Sequence, residues 1–462
     1  MHALSIHALN KHFDDGSLTS EALVTTLLKR IQTIEPRLNS LADINHQALL
    51  EARRLDVERK TQGKRSLLHG IPIVVKDNIF TKDGLRTTAN SRVFRHFYAP
   101  YDATLITHLK AAGAIILAKA NCSEFAYFMS MGRMPSGYGS LNKQVKHPYN
   151  PVIDPLGSST GSAVAVAAEL AVASVGTETN GSLMSPAKQN SVVSLKPTLG
   201  QISRHGIIPI TLRQDTAGPM AKTVEDAAIL FQVMQAVDVK DMATTDINHK
   251  PYDLNTLYQP LKGLKIGVLR WKNHALSDEE QTILNAAETI LKAQGVHIKA
   301  VQLTYDLVDN RLTMHPEFKR DFNHFLSQLG SNAPVTSLSA LIKENQKTPA
   351  LNLVYGQTDL IKAQGKDIRL KDPAYLAALL LQEKQLLPYL ALFDDVDLLI
   401  TTQITGYPAM AGLPSVIVPA KPLTDLTPHS VLFIGPRWSD DLILNCAYHY
   451  ELATKHRIAP TF

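Results

Sequence analysis

The chain has 462 residues, 45% of them hydrophobic, and its 47 Lys and Arg against 42 Asp and Glu leave a net charge of +5. That composition builds a large globular core and excludes a disordered chain or a small disulfide-held scaffold. The mild charge argues against a nucleic-acid partner, and two cysteines far apart in sequence, Cys122 and Cys446, form no disulfide framework or metal-ligand spacing.

The N-terminal stretch MHALSIHALNKHFDDG has neither an apolar h-region nor a cleavage site. Residues 1–62 read as helical. Thr19 or Ser20 caps a helix with Glu21 in its first turn; Leu23, Leu27, Ile31 and Ile34 make its apolar stripe, and Pro36 is expected to stop it. A second helix is expected over 46–61. The densest basic run, 53–65, is interleaved with Asp56 and Glu58, the pattern of a solvated helix face.

At Gly70 the pattern changes. Ile71-Pro72-Ile73-Val74-Val75 suits a buried strand, and it ends on Lys76-Asp77-Asn78. A lysine in that place either snorkels to solvent, pairs with Asp77, or is desolvated and acts as a base. A helix near 103–112 and a strand over 114–118 follow, then Asn121-Cys122-Ser123-Glu124-Phe125. This alternation predicts an α/β layer structure. Residues 130–156, rich in Gly, Pro, Asn and Tyr, predict a long irregular loop of the kind that often carries function.

Two hydroxyl-rich turns come next, Gly157-Ser158-Ser159-Thr160-Gly161 and Gly176-Thr177-Glu178-Thr179-Asn180-Gly181-Ser182, on either side of a segment of small apolar residues. Serines in glycine-rich turns sit among unpaired backbone N–H groups, which is what an acyl-transfer nucleophile needs. The apolar run 163–175 is too short to span a bilayer and holds Glu169, so a soluble, cytoplasmic protein without a membrane partner is expected.

Beyond Pro197, Ser203-Arg204-His205-Gly206 and Asp215-Thr216-Ala217-Gly218-Pro219 read as loop. Thr223, with Asp226 three residues on, caps a helix running to about Ala236. Residues 238–262 read as a surface linker to a separate α/β unit. In that unit a strand over 264–270 precedes a helix with the capping box Ser277 and Glu280, which Gly295 ends, and a strand over 296–303 follows. Residues 315–392 are mostly helical and carry no strong motif. Strands return over 397–401, 415–418 and 430–434, and a last helix runs from Ser439 to Lys455, His456 and Arg457.

The serines allow three readings. Gly157-Ser158-Ser159-Thr160-Gly161 fits a nucleophile elbow with Ser159 attacking, but that motif needs a strand before it, and Pro151 and Pro155 disfavour one. Ser185-Pro186-Ala187-Lys188 fits S-x-x-K, but the companion S-D-N and K-T-G motifs are absent. The third reading rests on an ordered set. The two hydroxyl-rich turns, Leu195-Lys196-Pro197-Thr198, the 70–78 stretch, 121–125, Ser203-Arg204, 215–219 and Gly412-Leu413-Pro414 together resemble the amidase signature family. The matches follow that family's order over roughly 60–236 and 397–457.

The resemblance implies a Ser–cis-Ser–Lys triad of Ser182, Ser158 and Lys76, and the spacing of 24 residues between the two serines agrees with the family pattern. It implies that Ser182 attacks an amide carbonyl, that Ser158 bridges it to a neutral Lys76, and that the Gly157–Ser158 peptide bond is cis. The backbone N–H groups of Thr179, Asn180, Gly181 and Ser182 would form the oxyanion hole. It implies no metal or organic cofactor, and a small-molecule or peptide amide as the partner. Monomer and homodimer both stay open. The implied fold is α/β, a central twisted mixed sheet of about eleven strands covered by helices in a single domain over 1–462. Within it, 238–396 is the variable substrate-side region, and loops in 126–150 and 300–410 build the pocket. The residues alone would also allow two domains divided near 238–262.

Departures from the family pattern refine this. Glu178 where many members have Asp, and Asn180 where many have Gly, resemble the peptide-amidase-like branch. Met184 and Ser185 stand where many members carry an arginine, which argues against a site for a substrate carboxylate. Ser191 and Ser194 replace usual glycines and leave a catalytically impaired member open. The alternative in another class is the glutaminase subunit of a tRNA-dependent amidotransferase.

Overall fold

The computed structural model describes residues 3–307, 309–421 and 428–462. The expected 238–396 and 397–457 regions therefore include residue 308 and residues 422–427, which lie outside the described residues.

Eleven strands form one sheet. They are β1 (Leu41–Ile44), β2 (Pro72–Lys76), β3 (Ile115–Ala120), β4 (Ala173–Glu178), β5 (Val193–Lys196), β6 (Thr216–Ala221), β7 (Lys265–Trp271), β8 (His297–Leu303), β9 (Leu398–Thr401), β10 (Ser415–Lys421) and β11 (His429–Ile434). Their spatial order is β1-β3-β2-β4-β6-β5-β10-β11-β9-β7-β8. β2 runs parallel to β3 and β4, and β7 runs parallel to β8 and β9; the other pairs are antiparallel. The expected mixed α/β sheet is what the chain builds.

Both faces of the sheet are buried in its middle strands, while the edge strand β8 is largely exposed. In β9, β10 and β11, Leu398, Ile400, Val416, Val418, Val431 and Phe433 face one core cluster, while Leu399, Ile417, Leu432 and Ile434 face another. Successive side chains of an extended strand point to opposite faces, so a strand apolar at every position needs cover on both sides. Helices supply it: Val224–Met234 lies against β5 and β6, Asp440–Thr454 against β10 and β11, and Thr160–Ala167 against β2, β3 and β4.

Several expectations need correction. Pro36 does not stop its helix, which runs over Ser20–Leu38. Proline removes only its own donor and blocks one carbonyl, that of the exposed Gln32, so the last turn closes beyond it. The helix ends instead at Asn39, left-handed at φ 54°, whose N–H donates to Glu35 O. The next residues form β1 and are not helical. The 215–219 stretch is not loop but most of β6, in the middle of the sheet. Its proline is tolerated because β5 pairs with β6 only through Val193–Ala221 and Ser194–Met220, so Pro219 lies past that ladder. Its glycine is required: a Cβ on Gly218 would stand 2.1 Å from the Leu195 carbonyl oxygen.

Residues 238–262 are no mere surface linker. Asp241 is buried and paired with Arg204, and Thr244, Leu257 and Leu261 are buried too. The α/β unit after them is not separate, because β7 joins β9 and so continues the same sheet.

Candidate active site

Parallel pairing sets the site. β2 and β4 align Val75 with Val175, so both strands end at the same edge of the sheet. Lys76, the last residue of β2, therefore arrives beside Thr177. The carboxyl ends of parallel strands are where α/β sheets expose their loops to ligands.

Lys76 is fully buried. Its Nζ donates to Ser158 Oγ at 2.8 Å, to Thr177 Oγ1 at 2.8 Å and to Thr177 O at 3.2 Å. It neither snorkels nor pairs with Asp77, whose carboxylate instead accepts from Thr88 N at 3.0 Å and from the Thr88 hydroxyl. Burial pushes the Lys76 amine down to about 8, against a smaller opposing pull from the surrounding acidic groups. Asn78 Nδ2 donates to Thr177 Oγ1 at 3.0 Å and so fixes the hydroxyl that holds the lysine.

The Gly157–Ser158 peptide bond is cis. Ser158 is 1% exposed and Ser182 9% exposed, so the opening lies on the Ser182 side. The two serine turns are tied together where Ser159 N donates to Ser182 O at 3.2 Å. Ser159 commits its hydroxyl to backbone: Oγ donates to Thr177 O at 2.8 Å and accepts from Thr177 N at 3.1 Å. No strand precedes it. The elbow reading fails on both counts. The S-x-x-K reading fails as well, because Lys188 Nζ donates to Thr402 O at 3.0 Å and faces Glu280 at 3.7 Å.

The 179–182 turn is held from three sides. Glu178 Oε2 accepts from Leu183 N at 2.7 Å and Met184 N at 3.1 Å, capping the short helix Met184–Gln189. Thr179 Oγ1 donates to Asp215 Oδ1 at 2.5 Å, and Gln214 Nε2 donates to Thr179 O at 3.1 Å. Gly181 takes φ +79°, which turns the chain sharply into Ser182. Among the described residues, the N–H groups of Asn180, Gly181 and Ser182 meet no protein acceptor. Unpaired backbone donors beside a serine are the kind of group that an anion-stabilising nest requires.

Thr177 and Asp215 stand out here and not in the sequence. Asp215 also accepts from Ile210 N at 2.7 Å and Thr211 N at 3.0 Å, and burial raises its carboxyl to about 7. Both lie within quoted motifs, but nothing in their residue type marks them as partners of Lys76 and Thr179.

The Amidase family profile matches residues 22–410. The chain belongs to the amidase family. It is 32% identical to an Arabidopsis thaliana protein named "Probable amidase", over 99% of this chain and 91% of that one. The crystal structure of the peptide amidase from Stenotrophomonas maltophilia superposes with a TM-score of 0.92 at 35% identity, covering 100% of this chain and 99% of that one. A glutamyl-tRNA(Gln) amidotransferase subunit from Syntrophobacter fumaroxidans is 30% identical, over 99% and 98% of the two chains. The peptide-amidase-like character read from Glu178 and Asn180 agrees with the second of these. Among the described residues, no helix of this amidase-family chain is long and apolar enough to cross a membrane.

Proposed function

We propose that this amidohydrolase cleaves the C–N bond of a linear carboxylic amide through Ser182, Ser158 and Lys76, by way of an acyl-enzyme. The observation that carries the reading is Lys76 Nζ, buried and 2.8 Å from Ser158 Oγ, with the turn of that serine tied to the turn of Ser182 where Ser159 N donates to Ser182 O at 3.2 Å. Neutral Lys76 accepts the Ser158 proton as Ser158 accepts that of Ser182, and Ser182 Oγ attacks the carbonyl carbon. The N–H groups of the 179–182 turn stabilise the oxyanion. The Lys76 ammonium then returns the proton through Ser158 to the nitrogen, the C–N bond breaks, and ammonia or an amine leaves. Water, activated by the same pair, frees the acid from Ser182.

The likeness to the Stenotrophomonas maltophilia peptide amidase supports a peptide or peptide-like amide as substrate. The likeness to an amidotransferase component supports a second reading, in which ammonia is passed to a partner. Met184 and Ser185, in place of an arginine after the nucleophile, weigh against it. Cytoplasmic location remains part of the proposal, supported by two buried, unbridged cysteines.

The test is labelling with a fluorophosphonate and mapping of the adduct by peptide mass spectrometry. An adduct on Ser182 that Ser182→Ala abolishes is expected; an adduct on Ser159 would overturn the triad. Ammonia release from a simple amide by the isolated chain separates the hydrolase from the amidotransferase reading.

A further inference from the structure

The turn that carries Ser182 is anchored by a carboxylate that the triad does not use. Glu178 pairs with Thr216 across the antiparallel β4–β6 ladder, so one step further along each strand sets Thr179 opposite Asp215. There the Thr179 hydroxyl donates to Asp215 Oδ1, and the neighbouring Gln214 Nε2 donates to Thr179 O at 3.1 Å. The other carboxylate oxygen, Oδ2, accepts from Ile210 N at 2.7 Å and Thr211 N at 3.0 Å, which fixes it to the loop before β6. A cavity of about 10 Å³, room for one water, is lined by Asn78, Thr177, Thr179 and Asp215. Asp215 therefore borders the residue, Thr177, whose hydroxyl holds Lys76.

A buried charge is a costly anchor for a turn, because a neutral side chain could accept from the same N–H groups without being desolvated as an ion. Arg204 is the cation that acts on Asp215, but its guanidinium is already paired with Asp241, and Asp321 on the helix Arg311–Leu329 adds a like charge. Burial raises the Asp215 carboxyl to about 7 against the pull of its donors and Arg204. It is thus ionised over most of the range in which Lys76, held near 8, turns neutral. Carboxyls perturbed in this way cluster where chemistry is done. The groups that act on Lys76 show what the charge does. They are Cys122, Asp215 and Glu178. Burial pushes the Cys122 thiol up to about 12, so it stays neutral, and the two carboxylates remain to stabilise an ammonium. Glu178 is the cap of Leu183 N and Met184 N.

We propose that Asp215 is a positioning residue of this site: through Thr179 it holds the 179–182 turn in the shape that receives the oxyanion, and its charge steadies the Lys76 ammonium formed as Ser182 attacks. The inference rests on the reading of Ser182, Ser158 and Lys76 as the triad. Asparagine at 215 separates the two effects from plain packing. Its carbonyl oxygen can accept from Ile210 N and Thr211 N as before, but the negative charge is gone and the Thr179 hydroxyl meets an amide N–H where it had an acceptor.

The rate at which one fluorophosphonate labels Ser182, followed against pH and probe concentration, tests the proposal without a known amide substrate. Asp215→Asn should lower the limiting labelling rate about ten- to a hundredfold while the probe's half-saturating concentration changes less than about threefold. Its pH limb should move below 8, because the Lys76 ammonium has lost a stabilising charge. Thr179→Val removes the hydroxyl and leaves the charge, so it should slow labelling about tenfold with the limb still near 8. Thr179→Ser restores the hydroxyl and should be labelled at least about fivefold faster than Thr179→Val. A purely structural anchor would lower the urea midpoint and leave the limb where it was. Variant rates within about twofold of the unsubstituted protein, or a limb that stays near 8 in Asp215→Asn, overturn this inference alone. Unsubstituted protein that forms no Ser182 adduct takes the triad reading down together with it. Should Asp215→Asn fail to fold, the two Thr179 variants decide: equal labelling rates sink the proposal, and a faster serine variant upholds it.

Discussion

Lys76 carries the sharpest chemical expectation. Burial brings its amine from 10.5 to about 8. The base must be neutral to take a proton, and the neutral fraction grows as pH rises through that value. Activity should therefore climb between pH 7 and 9 along a single ionisation near 8, measured as kcat/KM on a simple amide. A limb centred near 6.5 would point to a histidine and overturn the assignment. Lys76→Met keeps the volume and removes the base, and should cost about 10²–10⁴ in kcat. The change also takes a donor from Ser158 Oγ, Thr177 O and Thr177 Oγ1, so a stability loss of about 1–3 kcal/mol is expected alongside the relief of the lysine's desolvation, and the urea midpoint of the variant reads it. At this scale the sequence singled out Lys76 as the charged end of a buried strand, whereas Ser158 and Ser182 were distinguished from the neighbouring serines only by the family resemblance. It was silent on Thr177, Asn78 and Asp215, because their roles arise from contacts between β2, β4 and the 210–215 segment.

Elements that obey local rules were legible. The capping box of Ser277 and Glu280 forms as expected, with both reciprocal hydrogen bonds present, and Thr223 caps its helix by accepting from Asp226 N. Elements defined by neighbours were not. β6 contains Gly218-Pro219, a turn signal by composition, yet it becomes a strand because β4 pairs along its whole length, from Ala173–Ala221 to Glu178–Thr216. The two serines in place of glycine also divide by their surroundings. Ser191 sits at φ 53°, a conformation that suits glycine better. Ser194 is different: it is fully buried in β5, and its Oγ donates to the Pro219 carbonyl at 3.0 Å. Ser194→Gly removes that donor from a buried acceptor and loosens a strand. It should lower stability by about 1–2 kcal/mol, read as a reduced urea midpoint, while Ser182 labelling stays unchanged. A raised midpoint would mean that Ser194 strains β5 after all.

The order of the sheet decides how the whole molecule behaves. β10 pairs with β5, β11 with β10, and β9 with both β11 and β7. The C-terminal strands are thus inserted between the N-terminal half of the sheet and the β7–β8 edge. No local pattern in the sequence announces this, because apart from the consecutive strands β10 and β11 those contacts join segments far apart along the chain. A division near 238–262 would leave β5 as an exposed edge and strip β10 of its β5 neighbour. We propose that the chain unfolds as one unit. The two tryptophans report on the two sides: Trp271 ends β7, and the Trp438 ring lies near Gly200, just beyond β5. Tryptophan fluorescence and far-ultraviolet circular dichroism should give the same urea midpoint, and a fragment ending at residue 237 should fail to show that transition. Two separated transitions, or a fragment that folds alone, would instead mean that the long-range pairing of β5 with β10 adds little and that two domains share one sheet.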